Sequence, residues 1–168
     1  MKASGVATVY FVLKLIHIAA VIVFLGNVSI GIFWKSVADR TADPRIMAHT
    51  VRGIIKADRW FTIPAIIVLL MAGFATAGAG RIPILGTGWI LWSLILFTIA
   101  GIAFGPVSRV QRQLAALASA ASGPADFDAA GYRRLSGVWN AWGLIALIAP
   151  VMALIFMVLK PALPAFQR

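Results

Sequence analysis

Two ionisable side chains, Lys14 and His17, lie in or beside the first long apolar stretch of the chain. They are three residues apart and would therefore share one face of a helix. From Leu15 to Trp34 the sequence runs 20 residues without a formal charge, a length that covers the roughly 30 Å hydrocarbon core of a bilayer. An ionisable residue inside a membrane span is costly, so His17 is the first candidate for a functional site.

The imidazole of His17 has two candidate uses at membrane depth. As a neutral ring it can hydrogen-bond to a neighbouring helix, as polar groups inside bundles often do. As a ligand it can hold haem iron, and as a titratable group it can handle protons. The residue types alone leave both uses open.

A second axial ligand from the same chain would have to lie at the depth of His17. His49 does not, because it follows the span in a charged connection, roughly 25 Å or more from His17 along the helix axis. We expect Met71 and Met152 at comparable depth, so the alternatives are His/Met ligation, an open position, or the same histidine of a second subunit. Lys14 either snorkels to the interface as an anchor or lies beside an anion such as a haem propionate or a lipid phosphate.

The composition is that of a membrane protein. Hydrophobic residues make up 61% of the 168 residues and charged residues 12%, with a mean hydropathy of +0.95. The chain has no cysteine, which excludes disulfides, thiolate metal sites, iron–sulfur clusters and covalently attached c-type haem. It also has no glutamate, and its five aspartates fall in the connections. We therefore set aside carboxylate proton relays, hydrolases and ATPases.

Four apolar segments of span length predict an all-α polytopic membrane protein. The expected architecture is an up-down bundle of four transmembrane helices forming a single domain over residues 1–168. The first apolar run exceeds the 7–15 residues typical of a signal peptide, so we expect it to be retained as a helix. An amphipathic pattern from Arg45 to Lys56 indicates a short helix on the membrane surface, or one that runs on into the second span. The predicted spans cover about 6–36, 57–79, 87–118 and 131–160.

The distribution of lysine and arginine predicts the orientation. The side that holds both termini has four basic residues, which are Lys2, Arg81, Lys160 and Arg168. The other side, which holds the first and third connections, has more lysine and arginine residues. This excess places both basic connections in the cytoplasm and both termini in the periplasm of a bacterial inner membrane. We attribute the net charge of +10 to this topology and to anionic lipid head groups at the cytoplasmic face, with no role in binding nucleic acid. The first and third connections carry ten basic residues, which are Lys35, Arg40, Arg45, Arg52, Lys56, Arg59, Arg109, Arg112, Arg133 and Arg134.

Small and polar residues inside the spans indicate how the helices pack. Gly101 with Gly105, and Gly73 with Ala77, form small-xxx-small pairs that allow close helix approach. We expect their use within the bundle, with a homodimer or a membrane-complex partner as the alternative. We also expect an interhelical hydrogen bond from Asn27, and an interfacial ion pair between Asp58 and a nearby arginine.

Short motifs at three places carry a resemblance to known membrane proteins. The run Leu13-Lys14-Leu15-Ile16-His17, followed by FLGNVSIGIFW, resembles the first helix of the four-helix superfamily that includes HemJ-type protoporphyrinogen oxidases and CopD-like copper-resistance proteins. The segment from Tyr132 to Pro161 resembles the end of the HemJ-type fourth helix. More closely, nearly the whole chain is similar to an uncharacterised bacterial family of predicted integral membrane proteins within that superfamily. The shared motif there is ADRWFTIP, from Ala57 to Pro64.

The resemblance implies a four-helix protein that binds haem b for a redox or electron-transfer role, with His17 matching the first-helix histidine. HemJ-type enzymes have a lysine early in helix three, whereas this chain reads Trp89 to Ser93 there with none, so porphyrinogen oxidation is not implied. The chain also lacks the set of histidine and methionine residues associated with copper handling in CopD-like proteins. The alternative interpretation is a non-catalytic accessory or scaffold subunit of a larger membrane complex.

Overall fold

The computed structural model describes residues 2–166, and describes only the backbone of residues 2–4 and 6. Within this part of the chain the regular structure is entirely helical, and four helices are long and apolar enough to cross a membrane. The predicted four-helix membrane bundle is therefore confirmed. The side chain of Lys2 and residue Arg168, both used for the predicted orientation, lie outside the described residues. The helices are α1 (Lys2–Thr41), α2 (Pro44–Ala57), a π-helical turn (Asp58–Thr62), α3 (Ile63–Ala79), α4 (Gly88–Ala120) and α5 (Ala129–Leu159).

The helices extend well past the bilayer thickness at one end. α1 has 40 residues and is therefore about 60 Å long. α2, the π-helical turn and α3 form one continuous helical segment of 36 residues, Pro44–Ala79. We call the end with the 42–43 and 121–128 loops the basic end, and the end with the 80–87 loop and the 160–166 tail the terminal end.

The start of α2 is set by its first residues. The Asp43 side chain accepts a hydrogen bond from the Arg45 N–H at 2.8 Å, which satisfies one of the unpaired donors at a helix N-terminus. Pro44 occupies the first turn, where its missing N–H costs nothing. The chain thus re-enters a helix directly after the turn that ends α1.

The largest apolar core lies at the basic end, between α2, α4 and α5. The apolar face of α2 packs on α4 and is buried, so this amphipathic helix does not lie on the membrane surface. Its polar face is exposed, and Arg52 there donates a hydrogen bond to Ser119 on α4. The core consists of Met47, Ala48, Val51, Val107, Val110, Leu114, Ala115, Ala118, Tyr132 and Trp139.

The spanning helices are arranged as two pairs, α1 with α3 and α4 with α5. Within the described residues, α3 makes no close backbone contact with α4 or α5, and α1 makes none with α4. The pairs meet at a ring contact between Phe24 and Phe97, whose centroids are 5.7 Å apart. A smaller core of Ala20, Phe24, Ala65 and Leu69 lies inside the first pair. Further direct contacts between the two pairs lie nearer the basic end, where Lys35 of α1 donates to Ser136 of α5 and Gln111 of α4 donates to Asp58.

The small-residue pairs differ in how the bundle uses them. Gly73 packs closely against a side chain of α1, and Ala77 is buried, so this pair serves the bundle as expected. Gly101 and Gly105 are exposed, and a Cβ added at either would meet nothing within 4 Å. The expectation of an intramolecular use is therefore wrong for the pair on α4.

Candidate functional site

His17 is bound to the backbone of α3 through one ring nitrogen. Its Nδ1 lies 2.8 Å from the carbonyl oxygen of Leu69. Because a carbonyl oxygen can only accept a hydrogen bond, Nδ1 carries the proton, and Nε2 of the neutral ring keeps a free lone pair. The interhelical hydrogen bond considered for this imidazole is therefore present, and it does not use Nε2.

The absence of a side chain at Gly73 makes room for the His17 ring. A Cβ at position 73 would lie 3.0 Å from both Nδ1 and Cε1 of His17, which is too close for ordinary contact. Within the described residues, the only fully buried side-chain nitrogen or oxygen without a partner is Trp139 Nε1. The half-buried His17 ring therefore has an Nε2 that is not sealed from its surroundings. Metal-ligating histidines typically show this arrangement, with the other ring N–H donated to a backbone carbonyl or carboxylate.

The other predicted ligand residues do not gather around His17. Lys14 is exposed, one turn from the ring. Met71 is 68% exposed, and because it is two residues from both Leu69 and Gly73 it lies on the opposite face of α3. Met152 is exposed on α5, in the other helix pair. No group of three or more His, Cys, Asp or Glu side chains in the described part of the chain could hold a metal ion.

A second polar site, centred on Asp58, lies towards the basic end. Asp58 is 9% exposed. Its Oδ1 accepts hydrogen bonds from the Thr62 hydroxyl at 2.9 Å and from Asn27 Nδ2 at 3.3 Å. Its Oδ2 accepts a third from Gln111 Nε2 at 3.1 Å. Asn27 also donates to Thr62 Oγ1 at 2.8 Å, so its expected interhelical hydrogen bond is confirmed.

Among the described residues, the expected ion pair between Asp58 and an arginine is not formed. Its partners are neutral side chains from α1, α4 and its own turn, while the neighbouring Arg59 is exposed. A buried carboxylate with neutral donors and no cation beside it is a costly arrangement inside a protein. We call Asn27, Asp58, Thr62 and Gln111 the Asp58 network.

The π-helical turn explains how Asp58 and Thr62 both reach the interior. Pro64 has no N–H to bond the carbonyl of Trp60, and its ring crowds that carbonyl, so the preceding turn widens. The Ile63 N–H instead bonds the Asp58 carbonyl, five residues back. Isolated π turns inside helices occur frequently at functional sites. The turn coincides with the ADRWFTIP motif noted in the sequence.

A cavity of about 90 Å³ lies beside the Asp58 network, between α1, α3, α4 and α5. Its walls are mostly apolar and include the rings of Phe24, Phe97 and Phe104. Asp58 and Trp139 also line it. The Nε1–H of Trp139, a residue only 4% exposed, is fully buried and has no hydrogen-bond partner among the described residues. The cavity therefore has polar groups in an otherwise apolar lining.

A buried lysine ties α1 to α5 just beyond this cavity. Lys35 is 2% exposed and forms an ion pair with Asp39. Its ammonium donates to Ser136 Oγ at 3.0 Å and lies 5.5 Å and 5.0 Å from the ring centroids of Tyr132 and Trp139. Tyr132 donates its hydroxyl proton to Asp39 at 3.0 Å. We call these five residues the Lys35 cluster.

The sequence contains signals for both polar clusters. Lys35 and Asp39 are four residues apart, as are Asp58 and Thr62, and such pairs face each other on a helix. Tyr132, Ser136 and Trp139 also recur at helical spacing. Counting Lys35 as a topology charge and Asp58 as an interfacial charge hides these signals, because both sit among many basic residues.

The fold and its four spans define a multi-pass integral membrane protein built as a helical bundle. The chain belongs to the family of predicted integral membrane proteins DUF2269, whose model matches residues 11–161. The match contains both His17 and the π-helical turn. Neither the curated proteins nor the solved structures include a match to this chain.

Proposed function

We propose that this protein binds haem b in the membrane through His17 and has a redox or electron-transfer role. The observation that carries the proposal is the hydrogen bond from His17 Nδ1–H to the Leu69 carbonyl, at 2.8 Å. It selects the tautomer whose Nε2 can bind iron, and it orients the ring and makes it a stronger donor. The resemblance of the first helix to the haem-associated HemJ-type superfamily supports the same assignment.

In this proposal His17 would hold the haem iron through Nε2, and its neighbours would position the ring and pair with a haem propionate. Gly73 leaves the space that the ring occupies, and Lys14 places a cation one turn away, where it can pair with a propionate. Haem b would supply reversible one-electron chemistry at its iron. The absence of cysteine is compatible with haem held without covalent attachment.

Neither Met71 nor Met152 would hold the iron together with His17. Met71 faces away from His17, and Met152 lies in the other helix pair. We therefore propose that His17 would hold the iron either alone or together with the same histidine of a second copy. Towards the terminal end the two helix pairs make few direct contacts within the described residues. This arrangement favours access to His17 from the lipid side.

We further propose that the protein lies in a bacterial inner membrane with its basic end in the cytoplasm and both termini in the periplasm. All ten basic residues of the basic end except Lys35 are exposed. Exposed cations at this level attract anionic lipid head groups. The basic end has more lysine and arginine residues than the terminal end, and this difference supports the orientation.

An absorption spectrum of the purified protein tests the haem assignment. The wild type, purified with haem available, should show a Soret band that is lost in His17→Ala. The matched control is His49→Ala, which removes the only other histidine, an exposed residue of α2, and should keep the band. A colourless wild type, or a Soret band unchanged in His17→Ala, would contradict the proposal.

A non-catalytic scaffold subunit is the second candidate, and the exposed face of α4 favours it. Gly101 and Gly105 lie open beside Ile102, which is also exposed, and such a face allows another transmembrane helix to approach closely. Under this alternative, Gly101→Leu should dissociate an oligomer or complex that Gly78→Leu, at an open position of α3, leaves intact. Mass measurement in native lipid discs would show the difference.

A further inference from the structure

The cavity between the two helix pairs has a lining that is almost entirely apolar. Its polar residues Asn27 and Gln111 both donate hydrogen bonds to Asp58, at the side nearest the basic end. An internal water requires two to four polar partners, so this lining favours a hydrocarbon occupant. Glycines from three helices leave part of the space, namely Gly31 of α1, Gly101 of α4 and Gly143 of α5.

The cavity occupies the half of the membrane that adjoins the basic end. The helical segment from Asp58 to Ala79 has about the length of a span, roughly 30 Å. Within it the lining residues are Asp58 and Ile66, which fall in its first 12 Å or so, at roughly 1.5 Å per residue. On α4 the lining extends from Gln111 to Phe97, so the cavity is elongated along the helix axes.

The cavity opens sideways at Gly101. This glycine both lines the cavity and is exposed, and a Cβ added there would meet nothing within 4 Å. Within the described residues α3 makes no close backbone contact with α4, and Ile102 beside the opening is 68% exposed. Because this level lies inside a span, the medium outside the opening is the acyl chains of the bilayer.

The volume of the cavity suits one slender chain. Apolar cavities of about 150 Å³ bind benzene, and this one is smaller, at about 90 Å³. It therefore accommodates several methylene groups in a row and excludes a ring system of the size of haem. A hydrocarbon chain in it restores the dispersion contacts that an empty space forfeits.

An exposed cation marks where the head group of such a lipid would lie. Arg112 follows Gln111 on α4 and is exposed. It is eleven residues from Gly101, so the two lie on nearly the same face of the helix, roughly 16 Å apart along its axis. Half of the hydrocarbon core has about that depth. A phosphate paired with Arg112 thus places an acyl chain of the same lipid at Gly101.

We propose that one acyl chain of a phospholipid from the leaflet at the basic end occupies the cavity past Gly101, with the lipid phosphate paired to Arg112. The chain fills the gap between the two helix pairs. The inference rests on the proposed position of the basic end among lipid head groups, and it holds whichever face of the membrane is cytoplasmic. It uses no residue of the His17 site, so it and the haem assignment can fail separately.

Native mass spectrometry of the full-length protein, released from membranes in a mild detergent, tests the bound lipid. The wild type should retain one phospholipid per chain. A Cβ at the buried Gly143 would meet only the Trp139 ring, at 4.0 Å, so a leucine side chain there would fill the cavity. Gly143→Leu should therefore lower the occupancy about tenfold, the factor for roughly two methylene groups that are no longer buried. The matched control Gly137→Leu, at an exposed and open position of the same helix, should keep the lipid.

Two further measurements test folding and the head-group contact. Gly143→Leu removes a glycine from a helix interior and fills empty space, so its melting temperature should equal or exceed that of the wild type. Arg112→Gln should lower the lipid occupancy about threefold, as expected for an exposed charge pair. Its control is Arg134→Gln, an exposed position on the face of α5 opposite Gly143, and this variant should keep the lipid.

Trp139 gives a readout that does not depend on any filling variant. It lines the cavity and is 4% exposed. With the other five tryptophans replaced by phenylalanine, its fluorescence should be quenched by phospholipids with brominated acyl chains. A chain that stays outside the helix pairs cannot reach this buried ring, so fluorescence without quenching would overturn the proposal.

The mass spectra can overturn the proposal in several ways. A wild type without retained phospholipid, a Gly143→Leu variant that keeps it, or an equal loss in Gly137→Leu would each do so. A lipid-free oligomer, or a retained isoprenoid without phosphate, would also do so. An occupancy unchanged in Arg112→Gln would overturn the head-group contact.

Discussion

Lys14 and Lys35 lie on the same helix, yet the two ends of the molecule treat them in opposite ways. Lys14, near the terminal end, is exposed, whereas Lys35, at the basic end, is buried, paired with Asp39 and covered by two aromatic rings. The same contrast holds for packing, because the larger core lies at the basic end and direct contact between the helix pairs is sparse elsewhere.

The contrast separates stability from the proposed chemistry. At the basic end, side chains of α1, α2, α4 and α5 bury one another, so removing a contact there should weaken the whole fold. Around His17 a single hydrogen bond and one glycine hold the ring against α3. Ligand sites are often drawn from the less stable parts of a protein, and we expect the same division here.

The largest effect should follow from a cavity in the core of the basic end. Leu114 is completely buried, and Leu114→Ala should lower the free energy of unfolding by about 4 kcal/mol, through lost burial and the space left behind. Leu15→Ala, at an exposed position of α1, should change it by less than about 0.5 kcal/mol. Equilibrium unfolding in micelles measures both, and equal losses would remove the distinction between the two ends.

The two lysines give a matched test of the polar contacts. Lys35→Ala leaves Asp39 without its cation, although the hydrogen bond from Tyr132 remains. We expect a loss of about 3 kcal/mol, the low end of the range for a broken buried pair, because Asp39 is 30% exposed. Lys14→Ala should be near neutral in the same unfolding assay. If Lys35→Ala were as mild as its counterpart, the Lys35 cluster would not hold α1 to α5.

A smaller change should affect the His17 region and leave the basic end intact. Gly73→Leu would push the His17 ring away from Leu69 and should lower the free energy of unfolding by about 2 kcal/mol, a typical effect of overpacking. It should also abolish the Soret band. Gly78→Leu, at a position on α3 with open space around it, is the control. If Gly73→Leu still bound haem, the close packing of the His17 ring against Gly73 would not be needed for binding.

The smallest effect concerns the 121–128 loop. Backbone N–H groups of Ser122 and Gly123 donate to Asp126 and lower the pKa of its carboxyl. Because the folded-state pKa is below the unfolded value, the stabilisation is present above about pH 4 and is lost as the pH falls through the lower, folded-state pKa. Asp126→Asn should therefore reduce the melting temperature slightly at neutral pH. The difference from wild type should vanish in acid, and a constant difference would contradict this account.

The spans could be predicted from the sequence because lipid imposes a simple rule of length and polarity. Helix ends were harder, since α1 runs on to Thr41 through charged residues that hydropathy treats as a connection. The interior placement of Asp58 depends on the widened turn before Pro64 and on Gln111, 53 residues away. No local pattern could bring that residue to it.

The candidate ligand set was only partly foreseeable for a similar reason. Helical periodicity places His17 on a face, but it does not say which residue of another helix meets it. Leu69 contributes a backbone carbonyl and Gly73 contributes empty space, so neither has a side chain that signals the contact. Met71 is at a similar depth along α3 but on its opposite face, which depth alone does not show.

Hydrogen–deuterium exchange in micelles, with and without haem, tests the division between the two ends most directly. We predict that haem slows exchange of the amides around His17 and Gly73 and leaves α2 and the adjoining parts of α4 and α5 unchanged, and that His17→Ala removes the effect. Slower exchange confined to the basic end, or identical protection in wild type and His17→Ala, would contradict the account.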